Sequence, residues 1–233
     1  LGHMGGGGDR RRAAADEVLD RLAPDTGRGL ATEVIRDGAA LLVRRGPVLV
    51  RVRHDRWRET AEREVVLAAL LADLHVPVTG LVEPDGQPWT VDAMVVTAWR
   101  WVAAGQRVTA GDVGLLARTL RERTAVAAGA VVAIDPFEAI RSAVAEMDDD
   151  ADARFVRDRA DALEPDWRRA SGADPLGRAV VHGDLHRGNV VAGSSGILMT
   201  DLELIGRGPA SYDAVPTVLA VDRYGVDPAT LHE

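Results

Sequence analysis

VVHGDLHRGNVV, residues 180–191, is the stretch of this chain that says most about its fold. It places two histidines, an aspartate, an arginine and an asparagine within eight positions and surrounds them with valines. A second apolar run, Ile197–Met199, leads into the acidic residues Asp201 and Glu203 shortly afterwards. This pattern predicts short strands that hold polar loops on a rigid β scaffold.

The polar residues of this stretch follow the spacing H-x-D-x-x-x-x-N, from His182 through Asp184 to Asn189. Kinases use the same spacing for a loop that holds a catalytic base and a metal-binding amide. Phosphoryl transfer needs a carboxylate for the hydroxyl proton, hard oxygen ligands for Mg²⁺ and a cation on the phosphates. Asp184 could be the base, Asn189 and Asp201 could bind the metal, and an arginine from the first half could supply the cation.

Hydrophobic periodicity and turn residues predict a β-rich part that is followed by a helical part. The predicted strands cover residues 31–36, 39–45, 48–53, 78–83 and 89–98, with Pro84-Asp85-Gly86 as the last turn between them. The predicted helices cover residues 13–23, ending at Pro24, then 57–74, 110–123, 136–147 and 151–169. The fold class is therefore α+β, with a five-stranded antiparallel sheet and one central helix before a mainly helical half.

This order of elements divides the chain into two predicted lobes. Residues 9–101 form a nucleotide-binding lobe, and residues 102–233 form a catalytic and acceptor-binding lobe. Residues 1–8, LGHMGGGG, look like a cloning remnant with disordered glycines and are left outside the fold.

Composition excludes several function classes. The net charge of −8 argues against a general nucleic-acid binder, because phosphate backbones need a basic face. The chain has no cysteine, and its most apolar stretch is too short to span a bilayer, so the expectation is a cytoplasmic protein without membrane or thiolate chemistry. All 28 basic residues are arginine, so the cation on the phosphates must be an arginine.

The net negative charge lies entirely after Arg107. It could steer a cationic substrate or only keep the protein soluble. The acidic cluster Asp148–Asp152 has the same two interpretations, a solvated linker between helices or a recognition site for a cation.

At these residues the chain resembles the aminoglycoside phosphotransferase-like kinases, which are relatives of choline kinases and distant cousins of protein kinases. HGDLHRGN is similar to the family's catalytic loop, and TDLE at 200–203 is similar to its metal-binding segment. GPASYD at 208–213 is similar to the usual continuation, where Asp213 is expected to anchor the catalytic loop. The resemblance implies a bilobal protein-kinase-like fold that binds Mg²⁺ and ATP or GTP.

The same resemblance assigns roles in the first half. Arg51, on the third strand, would contact the α- and β-phosphates, and Glu64 in the following helix would hold it. Arg53 is an open alternative, because strand alternation places it on the same face as Arg51. The segment 95–101, with Thr97 and Trp99, is similar to the hinge that meets the base.

The loop that would cover the phosphates departs from the family pattern. It has a single glycine, Gly38, where protein kinases have several. The chain also ends 30 residues after Glu203, where family members usually continue through further helices.

Three further residues of these motifs are candidates for supporting roles. His182 is expected to orient the catalytic loop rather than transfer protons. His186 could contact phosphate or only support the loop. Glu203 could be a third metal ligand or could hold nearby groups in place.

Together these residues predict a Mg²⁺-dependent phosphotransferase that moves the γ-phosphate of ATP or GTP to a small-molecule hydroxyl. The acceptor would be an aminoglycoside-like antibiotic or a metabolite, and a cationic acceptor would suit the acidic second half; antibiotic resistance is one role of the family. The alternative is a nucleotide-binding pseudokinase that acts as a regulatory or partner-binding module. The single glycine, the missing lysine and the short C-terminus favour that alternative, whereas the intact base and metal ligands oppose it.

Overall fold

The computed structural model describes residues 6–22, 29–83, 85–103, 105–148, 150–194 and 196–229. The chain forms two compact units. The first contains Leu1–Val108 and Arg187–Glu203, and the second contains Thr109–His186 and Leu204–Glu233. The boundary thus lies seven residues after the predicted one, and the hairpin that follows the HGDLHRGN loop belongs to the first unit.

The described residues form strands and α-helices in an order close to the predicted one. The strands are β1 (Thr32–Asp37), β2 (Leu41–Arg45), β3 (Val48–His54), β4 (Trp89–Val91), β5 (Met94–Arg100), β6 (Arg178–Val181), β7 (Val190–Gly193), β8 (Gly196–Met199) and β9 (Gly206–Pro209). The helices are α1 (Gly6–Arg21), α2 (Arg58–Asp73), α3 (Ala110–Thr124), α4 (Pro136–Ala145), α5 (Ala151–Gly172) and α6 (Val215–Tyr224).

The first unit contains the predicted five-stranded antiparallel sheet, in the order β1-β2-β3-β5-β4. One face carries Val50 and Val52 of β3, which are fully buried in the same core cluster as Leu19 of α1. Because side chains alternate along a strand, Arg51 and Arg53 of β3 lie on the opposite face. The apolar face therefore forms the core of this unit, and the other face is left for charged groups.

Two of the predicted strands are wrong in detail. Residues 78–83 form only isolated bridges, and residues 89–98 are two strands, β4 and β5, which are joined at Asp92 with a φ of 50°. The side chain of Gln87 explains the first difference, because its Oε1 accepts from Ala98 N at 2.7 Å where a further strand would have paired. The predicted turn residue Pro84 lies outside the described residues.

Helix α1 begins earlier than its sequence pattern predicts. Gly6–Gly8 are helical, so the disorder predicted for these glycines is wrong, while residues 1–5 and Pro24 lie outside the described residues. Two kinds of contact hold the helix. Its apolar face is buried against the sheet, and Arg11 Nη2 lies 2.7 Å from Asp37 Oδ1 at the end of β1.

The second unit is mainly helical, as predicted, with β6 and β9 paired antiparallel. Helix α3 begins with a capping box between Thr109 and Asp112. Strand β9 and helix α6 were not predicted. The sequence of β9, GRGP, has no β signal, and its glycines are required by packing, because a Cβ at Gly208 would lie 2.5 Å from Ile134 Cγ2.

None of the helices in the described part of the chain is both long enough and apolar enough to cross a membrane.

Candidate active site

The HGDLHRGN loop begins where β6 ends, in the second unit. His182 and Leu185 are fully buried, whereas the side chains of Asp184 and His186 are 48% and 41% exposed. His186 Nε2 lies 3.5 Å from Asp184 Oδ2. The buried residues fix the loop, and the proposed base faces outward with a histidine beside it.

The side chain of Asp213 anchors the backbone of this loop, which confirms the prediction from sequence. Its Oδ2 accepts from His182 N at 2.8 Å, and its Oδ1 accepts from Gly183 N at 3.0 Å. Burial raises the pKa of the Asp213 carboxyl above its ordinary value, although these hydrogen bonds and the His182 side chain act in the opposite direction. Both oxygens are therefore used to hold two consecutive amides immediately before Asp184.

Gly183 is required at its position. Its φ is +87°, and a Cβ there would lie 2.5 Å from the carbonyl oxygen of Leu204 and 3.2 Å from Ile134 Cδ1. Only glycine combines this backbone conformation with such a close approach. The loop is thus shaped by backbone contacts on both sides of His182.

Asn189 and Asp201 flank the β7–β8 hairpin of the first unit. Thr200 N donates to Asn189 O at 2.9 Å, and this bond joins the two ends of the hairpin. Asn189 is 9% exposed, and Asp201 has a φ of +61°, an uncommon conformation for a residue other than glycine. The hairpin therefore brings an amide and a carboxylate to one end, and these oxygen donors fit a hard cation such as Mg²⁺.

Within the described ranges, no three side chains of His, Cys, Asp or Glu come together as a ready-made metal cluster. A cation held by Asn189 and Asp201 would thus need oxygens from outside this set, such as those of phosphates or water.

Arg51 is paired with Glu64, which lies on the buried face of α2 and is 1% exposed. Arg51 Nη1 lies 2.8 Å from Glu64 Oε1, 3.0 Å from Glu64 Oε2 and 3.3 Å from Asp201 Oδ1. Burial acts to lower the pKa of Arg51, but the carboxylates of Glu64, Asp201 and Glu203 raise it above its ordinary value. The guanidinium is thus a permanent charge between two carboxylates.

Burial raises the pKa of the Glu64 carboxyl above its ordinary value, against the lowering effect of Arg51 and Arg53. An ionised Glu64 therefore costs stability as the pH rises through this raised pKa, because a raised carboxyl pKa favours folding only at lower pH. Glu64 is placed to hold Arg51 rather than to stabilise the fold.

Arg53 lies beside Arg51 on the same face of β3. Its Nη2 is hydrogen-bonded to the Glu203 carboxylate, and its Nη1 lies 4.0 Å from Glu64 Oε2. Glu203, an expected metal ligand, is therefore hydrogen-bonded to an arginine in this structure. Register could not separate the two arginines in sequence, but the Glu64 hydrogen bonds select Arg51 as its closer partner.

A cavity of about 80 Å³ lies beside Arg51 within the first unit. Its lining residues come from the sheet, the segment after β5 and the β7–β8 hairpin: Leu49, Arg51, Glu64, Thr79, Trp99, Arg100, Trp101, Val102, Val191, Thr200 and Asp201. The cavity thus has an apolar end formed by aromatic and aliphatic side chains and a charged end at Arg51 and Asp201.

Thr97 and Trp99 act as a pair on β5. Trp99 is 5% exposed and donates from Nε1 to Thr97 Oγ1 at 2.9 Å, and Arg51 Cζ lies 5.9 Å from the centre of its ring. Trp99 lines the cavity. Thr97 is 3% exposed and holds the indole in place through this hydrogen bond.

Gly38 lies at the turn between β1 and β2 and is exposed. Its carbonyl oxygen accepts from Arg11 Nη1 at 2.7 Å, so this turn is tied to α1. Gly38 is not among the residues that line the cavity.

The acidic cluster has a structural role in part. Asp150 caps α5, because its Oδ1 accepts from the amides of Asp152 and Ala153 at 3.0 Å each. Asp149 lies outside the described residues.

Two aromatic residues of the second unit, Tyr212 and Trp167, were missed in the sequence. Tyr212 precedes the loop anchor Asp213, and its ring meets that of Trp167 on α5 edge-on at 5.1 Å between centroids. Burial and the negative charges of Asp184 and Asp213 raise the pKa of the Tyr212 hydroxyl. The adjacency of Tyr212 to Asp213 was visible in the sequence, but the approach of Trp167, 45 residues away, was not.

Comparison with known protein families shows which family this chain belongs to. A sequence model described as the phosphotransferase enzyme family matches residues 9–230. No curated protein sequence matches the chain significantly.

Solved structures of kinases share the fold. The amicoumacin kinase hAmiN, in complex with AMP-PNP, Ca²⁺ and Ami, has 16% identity and a TM-score of 0.63, covering 94% of this chain and 73% of that chain. Aminoglycoside phosphotransferase APH(3'')-Id from Streptomyces rimosus has 16% identity and a TM-score of 0.63, with 94% and 87% covered. Choline kinase LicA from Streptococcus pneumoniae has 15% identity and a TM-score of 0.60, with 89% and 75% covered. The predicted kinase-like α+β fold is thereby confirmed.

Proposed function

Because the chain belongs to the phosphotransferase enzyme family, we propose that it transfers the γ-phosphate of ATP or GTP to a hydroxyl group of a small molecule. The observation that carries this proposal is the loop at Asp184. Its carboxylate is exposed, whereas the two preceding amides are fixed by Asp213. A base must be both accessible to a substrate and held in one place, and this loop meets both requirements.

Asp184 accepts the proton of the acceptor hydroxyl in this mechanism. The acceptor oxygen forms a bond to the γ-phosphorus as the bond to the β–γ bridging oxygen breaks, so that ADP or GDP leaves with the electron pair. His182 orients the loop from its buried position, and His186, 3.5 Å from Asp184, supports the carboxylate or contacts phosphate.

Asn189 and Asp201 would hold Mg²⁺ in this scheme. The metal, when bound, would neutralise charge on the β- and γ-phosphate oxygens. Arg51 would contact the α- and β-phosphates, since it lies at the charged end of the cavity and Glu64 holds its guanidinium. Its planar fork can hold phosphate oxygens while one edge remains on the carboxylate.

The nucleoside would occupy the apolar end of the cavity, beside Leu49, Trp99 and Val191. The AMP-PNP bound by the similar amicoumacin kinase supports ATP as the donor. GTP remains part of the proposal, because the lining residues do not distinguish the two purines.

A cationic acceptor is supported by charge and by aromatic contacts. The second unit has 19 acidic residues and 12 arginines, so it carries a net charge of −7 out of −8. Tyr212 and Trp167 form a partly exposed aromatic pair next to the anchored loop. Ammonium groups interact favourably with both features, so the acceptor is proposed to be an amine-bearing antibiotic or metabolite.

A pseudokinase is the second candidate, and one observation favours it. Asp201 Oδ1 already lies 3.3 Å from Arg51, so a metal would have to compete with this ion pair. Turnover separates the two candidates, because both would bind nucleotide.

The test is nucleotide consumption with ATP and with GTP, plus Mg²⁺, against a panel of aminoglycosides, choline-like amines and uncharged sugars. Asp184→Asn is the matched control, since it keeps the size of the exposed side chain but removes the base. We expect acceptor-dependent turnover that falls about 10²- to 10⁴-fold in the variant. Nucleotide binding with no turnover above that of Asp184→Asn for any acceptor would favour the pseudokinase.

A further inference from the structure

Five charged side chains of the first unit form a series of ion pairs, here called the ring of charges because its two ends, Asp201 and Glu203, belong to one short segment. Asp201 lies 3.3 Å from Arg51, Arg51 lies 2.8 Å from Glu64, Glu64 lies 4.0 Å from Arg53, and Arg53 is hydrogen-bonded to Glu203. Positive and negative charges alternate along it from Asp201 to Glu203, so each arginine lies between two carboxylates.

Two pairs of residues with the same spacing along the chain form this ring. Arg51 and Arg53 are two residues apart on β3, which places both on one face of the strand. Asp201 and Glu203 are also two residues apart, and each is closest to a different arginine of the pair. Glu64 from α2 contacts both arginines from the same carboxylate. The strand, the helix and the segment after β8 are therefore tied together by one set of charges.

Both strand positions of the ring carry arginine, whose guanidinium presents several N–H donors in a planar fork, whereas a lysine ammonium is a point charge. Arg53 hydrogen-bonds Glu203 through Nη2, while its buried Nη1 has no hydrogen-bond partner among the described residues and lies 4.0 Å from Glu64 Oε2. The side chain of Arg53 is only 12% exposed, so its charge depends on these partners.

We propose that Arg53 is a positioning residue of the phosphotransfer site, which holds Glu203 and thereby keeps the Asp201 carboxylate in place. This inference rests on the proposed function, because it assigns Asp201 to the metal. Glu203 is then the partner of Arg53 and not a metal ligand. The left-handed backbone of Asp201 is maintained because the segment is fixed two residues later.

The competing role for Glu203 is direct metal binding. For that role its carboxylate would have to leave Arg53, whose buried charge would lose its closest partner. The two roles differ in what a change at Arg53 does. A positioning pair responds equally to loss of either member, whereas a metal ligand responds to loss of Glu203 alone.

The experiment is a double-mutant cycle with Arg53→Met, Glu203→Gln and the two combined. The probe is Mn²⁺, whose affinity is measured by electron paramagnetic resonance in the presence of AMP-PNP and without any acceptor. Thermal unfolding of the same proteins without metal provides the second readout. Arg58→Met is the matched control, because Arg58 forms ion pairs on α2 with Asp55 and Glu62, outside the ring.

We expect each single variant to weaken Mn²⁺ binding about tenfold, the size found when an outer partner of a metal ligand is removed. The combined variant should be no weaker than either single one, and the control should bind as the wild type does. Arg53→Lys should recover only part of the affinity, since it restores the charge without the fork.

The proposal is overturned if Glu203→Gln weakens Mn²⁺ binding while Arg53→Met leaves it unchanged, because Glu203 would then be a ligand. It is also overturned if neither variant changes the affinity. If the wild type binds no Mn²⁺ with AMP-PNP, the proposed function itself fails. Coupling in thermal unfolding would in that case show that the ring is purely structural. If Arg53→Met does not fold, the near-isosteric Glu203→Gln is compared with Arg53→Lys in its place.

Discussion

The two units hold their candidate site residues by different kinds of contact. In the second unit, the loop before Asp184 is fixed through its backbone, by two amide hydrogen bonds to Asp213 and by the close approach of Gly183 to Leu204. In the first unit, Asp201 is surrounded by ion pairs between side chains. Backbone contacts fix the position of an atom narrowly, whereas charged side chains can exchange partners.

This difference suggests a division of labour. A proton acceptor must lie within hydrogen-bond distance of one substrate hydroxyl, so its loop benefits from rigid anchoring. Groups that bind phosphates and a metal must accept new charges when these ligands arrive, so rearrangeable ion pairs suit them. Substitutions in the backbone-anchored loop should therefore cost more stability than substitutions in the ring of charges.

The largest effect is expected for Gly183→Ala. The new Cβ would lie 2.5 Å from the carbonyl oxygen of Leu204, and alanine disfavours the φ of +87°. Overpacking and left-handed strain together should cost about 3 kcal/mol of unfolding free energy, measured by urea titration. Gly196→Ala is the matched control in the first unit, because its φ is +112° but nothing lies within 4 Å of its Cβ. It should lose about 1 kcal/mol, and equal losses at both sites would contradict the comparison.

The second effect concerns the anchor of the loop. Asp213→Ala removes the acceptors of both His182 N and Gly183 N and should cost about 2 kcal/mol or more, since buried amides lose their partners. Asp213→Asn keeps one acceptor oxygen and should lose roughly half as much. Both free energies can be measured by urea unfolding. If the two variants lose the same amount, the charge of Asp213 matters and the two hydrogen bonds do not.

A smaller stability effect is expected in the ring. Arg51→Lys retains a positive charge but moves it away from the position of Nη1, the nitrogen that contacts both Glu64 and Asp201, so it should lose about 1 kcal/mol. The KM for nucleotide should rise about tenfold at the same time, because the cation for the phosphates is displaced. Thermal unfolding and steady-state kinetics separate the two effects. A loss of stability larger than that of Asp213→Ala would reverse the proposed ranking.

The smallest effect depends on pH and concerns Asp174 in the second unit. Asp174 accepts from Ser211 N and Leu176 N, and the Ser211 bond is the main cause that lowers the pKa of its carboxyl below the ordinary 3.8. A lowered pKa stabilises the fold above the ordinary value and ceases to do so as the pH falls through the lowered one. Asp174→Asn should therefore cost less than about 1 kcal/mol at pH 7.

The difference between the wild type and Asp174→Asn should shrink as the pH falls below about 4, as followed by thermal unfolding. Ser211→Ala removes only the hydroxyl partner, 2.8 Å from Asp174 Oδ2, and should give a smaller loss of the same sign. A difference that grows on acidification would contradict the assignment.

Sequence patterns predicted the elements whose signals are local. The meander β1–β3, helix α2 and helices α3–α5 follow apolar periodicity and turn residues, so their bounds differ from the predicted ones by only a few residues. Strand β9 was missed because its sequence, GRGP, contains no β-branched or aromatic residue and is held by packing against Ile134. The strand at 78–83 was wrong for a different reason, since a nearby side chain, Gln87, takes the place of its backbone partner.

By itself the sequence determined which chemical groups are available. The spacing from His182 to Asn189 and the segment at Asp201 identified the base and the oxygen ligands proposed here, and the absence of lysine required an arginine as the cation. These features depend only on residue type and short separation along the chain, which a pattern can express.

Only the tertiary structure decided how Glu203 is paired. It placed Glu64 on Arg51 and Glu203 on Arg53, although both arginines lie on the same face of one strand. The resemblance to the kinase family had already indicated Glu64 as the partner of Arg51 and Asp213 as the anchor of the loop before Asp184, and the structure supplied the distances. The pairing of Glu203 with Arg53 had no such signal, because it follows from how the strand and the segment after β8 pack, which no local pattern in the sequence specifies.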